Sequence, residues 1–139
     1  MNRAGDGKEQ PFRTNECYSR SFISRQLGGG TQNYLPHKDG RVVCGCFTKE
    51  KNPLAPEEIL PGDRSNGSHD RVRWARQFAQ QDHAIPVFIK TKPKSWRYVG
   101  MWRVEEQIEK TDNPDAIAEA NNRSSRTDVA MILRLAKQR

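Results

Sequence analysis

Between Ser95 and Val104 the chain alternates with a period of two, and this pattern limits what it can fold into more than any other feature. In an extended strand Trp96, Tyr98, Gly100, Trp102 and Val104 share one face, and Arg97, Val99, Met101 and Arg103 share the other. The glycine between Tyr98 and Trp102 leaves room for a ring or a second backbone to approach closely. Ala84–Lys90 is a second run of strand formers, and Thr91-Lys-Pro-Lys94 between the two supplies the turn of a β-hairpin.

Other elements can be placed around that hairpin. Met1 to about Arg13 is polar, with Gly5, Gly7 and Pro11, and is expected to be a disordered leader. Residues 14–139 remain for a single domain with one modest core, consistent with 34% hydrophobic content. In Asn15–Leu27, Tyr18, Phe22, Ile23 and Leu27 recur at helical spacing, and Gly28-Gly29-Gly30 stops the helix. Arg41–Phe47 is bounded by turn residues and predicts a strand. Pro53, Pro56, Pro61, Gly62 and Gly67 make Asn52–Gly67 a loop with fixed bends. Asp70–Gln81 predicts a helix capped by Ser68 or Asp70, with Val72, Trp74, Ala75, Phe78 and Ala79 on one side and Arg73, Arg76, Gln77 and Gln80 on the other. Glu105–Arg126 reads as a polar linker with one or two helical turns at Pro114–Ala120. Asp128–Leu135 fits a strand or a helix, and periodicity does not decide between them.

Charge and aromatic residues coincide. Residues 71–103 hold eight Lys and Arg against the single acid Asp82, and so carry the whole net charge of +7. All three tryptophans, with Phe78, Phe88 and Tyr98, lie in the same stretch. Cations interleaved with flat rings suit a polyanion with stackable bases, so the expected partner is nucleic acid, DNA before RNA. Arg71, Arg73, Arg76, Lys92, Lys94 and Arg97 are the candidate phosphate contacts. The loop Gln32-Asn33-Tyr34-Leu-Pro-His37 gathers amide, aromatic and imidazole groups. Gln32 and Asn33 are candidates for base-edge hydrogen bonds, and Tyr34 with Trp96 or Trp102 for stacking.

Competing chemistries find less support. Cys44-Gly-Cys46 lacks the second ligand pair that a zinc site requires, so buried reduced thiols are expected and no metal or other cofactor. Gly28–Gly30 closes a helix rather than opening one, which argues against a phosphate loop. The acids Glu57, Glu58, Asp63 and Asp70 would have to serve a metal-dependent nuclease, the lowest-ranked function, and turn chemistry explains them as well. His69 and His83 flank the basic helix, and a surface or capping role suits them better than a phosphate contact. Three cysteines offer no disulfide framework, and no apolar run is long enough to span a bilayer. A soluble cytoplasmic protein without a membrane partner is expected.

The segments Leu27-Gly-Gly-Gly-Thr-Gln-Asn-Tyr-Leu-Pro36, Gly40-Arg-Val-Val-Cys-Gly-Cys-Phe47, Asn52-Pro-Leu-Ala-Pro56, Ile85-Pro-Val-Phe-Ile-Lys90 and Trp96-Arg-Tyr-Val-Gly100 resemble a family of small uncharacterised bacterial proteins. These are similar in turn to the SRA/PUA-like domains of restriction-associated and fungal proteins, and to chains carried by mobile gene cassettes. The resemblance covers about Tyr18 to Val104. It implies an α+β fold built on a small, curved, partly closed β-barrel with two or three flanking helices, and a strand at Asp128–Leu135 as the closing element. It also implies DNA-related work, since SRA-like domains hold a flipped base between aromatic rings. The expectation is therefore a non-enzymatic nucleic-acid-binding module selective for a modified or unpaired base. The alternative is a small homo-oligomer whose exposed aromatic face forms the interface.

Overall fold

The computed structural model describes residues 11–62 and 70–138. In chain order the elements are β1 (Cys17–Tyr18), α1 (Arg20–Leu27), β2 (His37–Lys38), β3 (Arg41–Val42), β4 (Gly45–Phe47), β5 (Glu58–Ile59), α2 (Asp70–Gln80), β6 (Ile85–Lys92), β7 (Ser95–Glu109), α3 (Pro114–Ser124) and β8 (Met131–Lys137). The class is α+β. One sheet runs β4-β6-β7-β8-β5 and curls into a half-barrel, while β2 and β3 form a separate two-stranded ribbon. β4 is parallel to β6, and the other pairs are antiparallel. β1 lies along the stretch of β7 around Trp96 and Arg97, which β8 does not reach.

Local chemistry explains where the elements begin and end. The Ser19 hydroxyl accepts from the Phe22 amide at 3.1 Å and starts α1, and Gly28 at φ 86° ends it. The expected helix from Asn15 is shorter because the backbone of Cys17 and Tyr18 is taken up by β7. Asn113 caps α3 through the Ala116 amide, and Ser125 closes it in the left-handed region at φ 58°. That helix is longer than the one or two turns expected. The polar linker is also shorter, because β7 continues to Glu109. The strand expected at Arg41–Phe47 is interrupted: Val43 donates to the Pro36 carbonyl, and only Gly45–Phe47 joins the main sheet. Met131–Lys137 is a strand paired to both β7 and β5, the closing role implied by the resemblance.

The alternation in β7 is real but does not keep one phase. Ile85 faces Trp102 and Pro86 faces Met101, yet Phe88 faces Tyr98 and Lys90 faces Trp96, so Val99 and Gly100 together oppose one residue of β6. Gly100, at φ 108°, forms this bulge. Cross-strand partners share a face, so the extra residue turns Trp102 to the side opposite Trp96 and Tyr98. The single aromatic face expected of this strand is therefore two faces. A second shift between Val104 and Glu106 repeats the device against β8.

The core is divided accordingly. On one side of the sheet Phe47, Val87, Ile89, Trp102, Met131 and Leu133 meet Trp74, Ala75 and Phe78 of α2. The other side is covered by α1 at one end and α3 at the other. Ile23, Cys44, Cys46, Phe88, Trp96 and Tyr98 pack at the first, and Leu60, Ile117, Ala120 and Ile132 at the second. Phe12 is buried among Tyr18, Phe22, Phe88 and Tyr98, with ring centroids 4.9 to 6.1 Å apart. Burying a Phe side chain stabilises by roughly 1.5–3 kcal/mol, so the expected leader boundary at Arg13 moves ahead of Phe12. Met1–Gln10 and Ser68 lie outside the described residues.

Candidate functional site

A cleft of about 590 Å³ lies along the open seam of the half-barrel, where Cys46, Phe47 and Thr48 at the end of β4 face Leu60, Pro61 and Gly62 beyond β5. That volume is within the range of small-molecule and nucleobase pockets. Two arginines fix its walls. Arg20 of α1 sends Nη2 to the carbonyls of Gly30 at 3.3 Å and Asn33 at 2.6 Å, and its guanidinium lies 5.2 Å over the Trp96 ring. The glycine loop is thereby tied back to the helix it terminates, and Gln32 and Asn33 form one lip. Gly29, at φ 82°, must stay glycine, because a Cβ there would sit 2.9 Å from Pro36 Cβ. On the other wall Arg126 Nη1 donates to the Lys51 carbonyl at 2.9 Å and the Leu60 carbonyl at 2.8 Å, while Asp128 holds its Nε and Nη2. A side chain at Gly62 would collide with this Arg126–Asp128 pair.

The cleft is electropositive. Arg20, Lys51, Arg71, Lys90 and Arg126 line it, with Glu50 as the only lining acid among the described residues. Lys90 Nζ lies 5.7 Å over the Trp96 ring, so that indole has two cations near it. Trp74 forms another part of the wall, stacked on His37 at 3.7 Å, and its Nε1 has no hydrogen-bond partner among the described residues. The Tyr34 hydroxyl donates to the Arg71 carbonyl at 2.5 Å. Burial pushes the Tyr34 pKa upward against the opposing pull of Arg71 and Arg126, so the phenol stays neutral and remains a donor. The hydrogen bond between the Cys44 and Cys46 side chains is the largest cause that pushes the Cys44 thiol up, and burial adds to it. The two thiols are packing groups, as the sequence suggested. Among the described residues no cluster of His, Cys, Asp and Glu could hold a metal ion.

The residues singled out from sequence divide into two groups. Gln32, Asn33, Tyr34, Arg71 and Trp96, from separate segments, all line the cleft. Lys92 and Lys94 are exposed at the tip of the hairpin whose stem contributes Lys90 and Trp96. The rest are elsewhere. Trp102 is buried in the α2-side core, its Nε1 bonded to the Val99 carbonyl at 3.0 Å. Arg73 lies 4.9 Å over the Trp74 ring, and Arg76 is bound by both Glu109 oxygens at 2.8 and 3.0 Å. Arg97 is half-buried in β7. Among the described acids, Glu58 is buried and paired with Arg123 at 2.7 Å and Arg134 at 3.6 Å, Glu57 is exposed, and neither lines the cleft. Asp63 and the Asp70 side chain lie outside the described residues. The tryptophans are 8%, 8% and 6% exposed, so they offer no aromatic face to a second copy.

Sequence reasoning did not single out Arg20, Lys51, Trp74, Lys90 or Arg126. Lys90 and Trp74 stood within the basic aromatic stretch, but Arg20 and Arg126 lie far outside it, and only the fold brings them to the seam.

Residues 17–116 match the family described as Domain of unknown function (DUF6697), which covers well over half of the 139 residues. The chain belongs to that family. No curated protein and no solved structure matches it. The DUF6697 match runs from β1 into the first turn of α3 and takes in every cleft residue except Arg126. Among the described residues of this DUF6697 member no helix is long and apolar enough to cross a membrane.

Proposed function

We propose that this protein is a non-enzymatic, cytoplasmic nucleic-acid-binding module whose seam cleft admits one modified or unpaired base. The observation that carries this reading is the convergence of Gln32, Asn33, Tyr34, Arg71 and Trp96 on one electropositive cleft. The Gln32 and Asn33 side-chain amides make no hydrogen bond among the described residues and are available to a base edge. Arginine planes stack on bases as rings do, so the Arg20–Trp96 pair supplies a platform although the indole itself is largely covered. Likeness to SRA/PUA-like readers belongs to the same proposal, and a curled sheet open along one seam agrees with it.

Fluorescence anisotropy with labelled oligonucleotides tests the reading. An oligonucleotide with one modified or unpaired base should bind more tightly than its fully paired, unmodified counterpart, and Gln32→Ala with Asn33→Ala should weaken that preference by about tenfold. Absence of binding at low salt, or variants that bind like the parent, would refute it.

A further inference from the structure

Resting on that reading, we infer that the ligand is a single strand that crosses the cleft from rim to rim. Its base lowers between the Gln32–Asn33 lip and the Arg20–Trp96 pair. Its flanking phosphates rest on Lys51 at one rim and on Lys90, Lys92 and Lys94 at the other.

The cations that remain available lie in a narrow line and not on a broad face. A duplex presents phosphates over a wide front and requires a broad basic face. Helix α2 would be that face, but Arg76 is neutralised by Glu109 and Arg73 lies on Trp74. The lysines without an ion pair among the described residues include Lys51 on one side of the seam and Lys90, Lys92 and Lys94 on the other. No acid occurs between His83 and Val104, so nothing along the hairpin competes for these cations. The tip is also held in shape: the Thr91 hydroxyl bonds the Ser95 carbonyl at 3.2 Å and hydroxyl at 3.0 Å, and Lys94 takes φ 65°. Such a narrow line of charge on both sides of a slot fits one extended backbone. A reader that opened duplex would need an apolar wedge, and Leu54, 52% exposed, is the one exposed large apolar side chain among the described residues.

Anisotropy titrations with a labelled DNA strand of about twelve nucleotides, the same sequence as RNA, and the DNA as a duplex decide the matter. The single strands should bind at least about tenfold more tightly than the duplex, with the DNA and RNA arms identifying which sugar is preferred. Lys92→Gln with Lys94→Asn, the latter suited to a left-handed backbone, should flatten the slope of log K against log[salt] by about 1.4. Lys110→Gln, at the opposite end of β7, should leave it unchanged. Equal or tighter duplex binding, or duplex binding lost in Leu54→Ala, overturns the single-strand inference while the base-reading site stands. An unchanged slope in the double variant removes the hairpin from the contact. No binding to any of the three probes removes the site itself.

Discussion

Arg20 performs two tasks with one planar group: it ties the glycine loop to α1 and covers a face of Trp96. Lysine keeps the charge but cannot bond two carbonyls in a fixed plane while stacked on a ring. Arg20→Lys should therefore lower oligonucleotide affinity about tenfold with the salt slope unchanged. A flattened slope would mean that Arg20 contacts phosphate instead. Tyr34 is an anchor as well as a cleft residue, since its ring packs on Phe47 and its hydroxyl holds the start of α2. Tyr34→Phe should cost about 1 kcal/mol in urea unfolding and leave affinity within about twofold. Tyr34→Ala, which also removes the ring, should lower the melting temperature further. Unchanged stability with weakened binding in Tyr34→Phe would make the hydroxyl a ligand contact.

Among the elements, β7 sets the two-sided architecture and its bulge is the least replaceable point. A valine at position 100 would be forced to φ 108°, where β-branched residues are strained, and its Cβ would meet Lys137 Cε at 2.8 Å. Gly100→Val should destabilise by about 2 kcal/mol, a fall in melting temperature on the order of 10 °C. Helix α2 is fastened to the far end of β7 by Arg76 and Glu109, and the Arg76 hydrogen bonds hold the Glu109 carboxyl below its ordinary value of 4.5. A depressed carboxylate contributes stability above that value and loses it as pH falls through the folded-state value. Glu109→Gln should thus be less stable than the parent by under about 1 kcal/mol at neutral pH, since Arg76 is half exposed, and the two should converge in urea titrations below pH 4.5. Helix α2 and the hairpin were legible in the sequence because their periodicities are local, whereas α3, read as one or two turns in a polar linker, runs to 11 residues. The phase change at Gly100 was not, because a glycine inside an alternating strand reads the same whether it continues the pleat or adds a residue.

For the whole molecule, the sequence located the charge but not its allocation. Eight cations stood in one stretch, yet which are engaged by Glu109 or by a ring depends on contacts between segments far apart in the chain. With Arg76 withdrawn, about four cations (Lys51, Lys90, Lys92 and Lys94) remain for a strand, and log K against log[salt] should slope at about −2.8. A slope near zero would contradict an electrostatic cleft. The convergence of Arg20 and Arg126 on the seam was beyond sequence reading for the same reason, since neither lies near the basic stretch. The bulge at Val99–Gly100 bears on length as well as on side chains. Deleting either residue would return β7 to unbroken alternation and leave Trp102 and Val104 on their own layer, because one residue fewer and no bulge give the same parity. This segment should therefore tolerate loss of Gly100 better than its replacement by valine, and the exposed turn around Lys94 should accept an insertion, so that length variation among functional variants would collect at these two points.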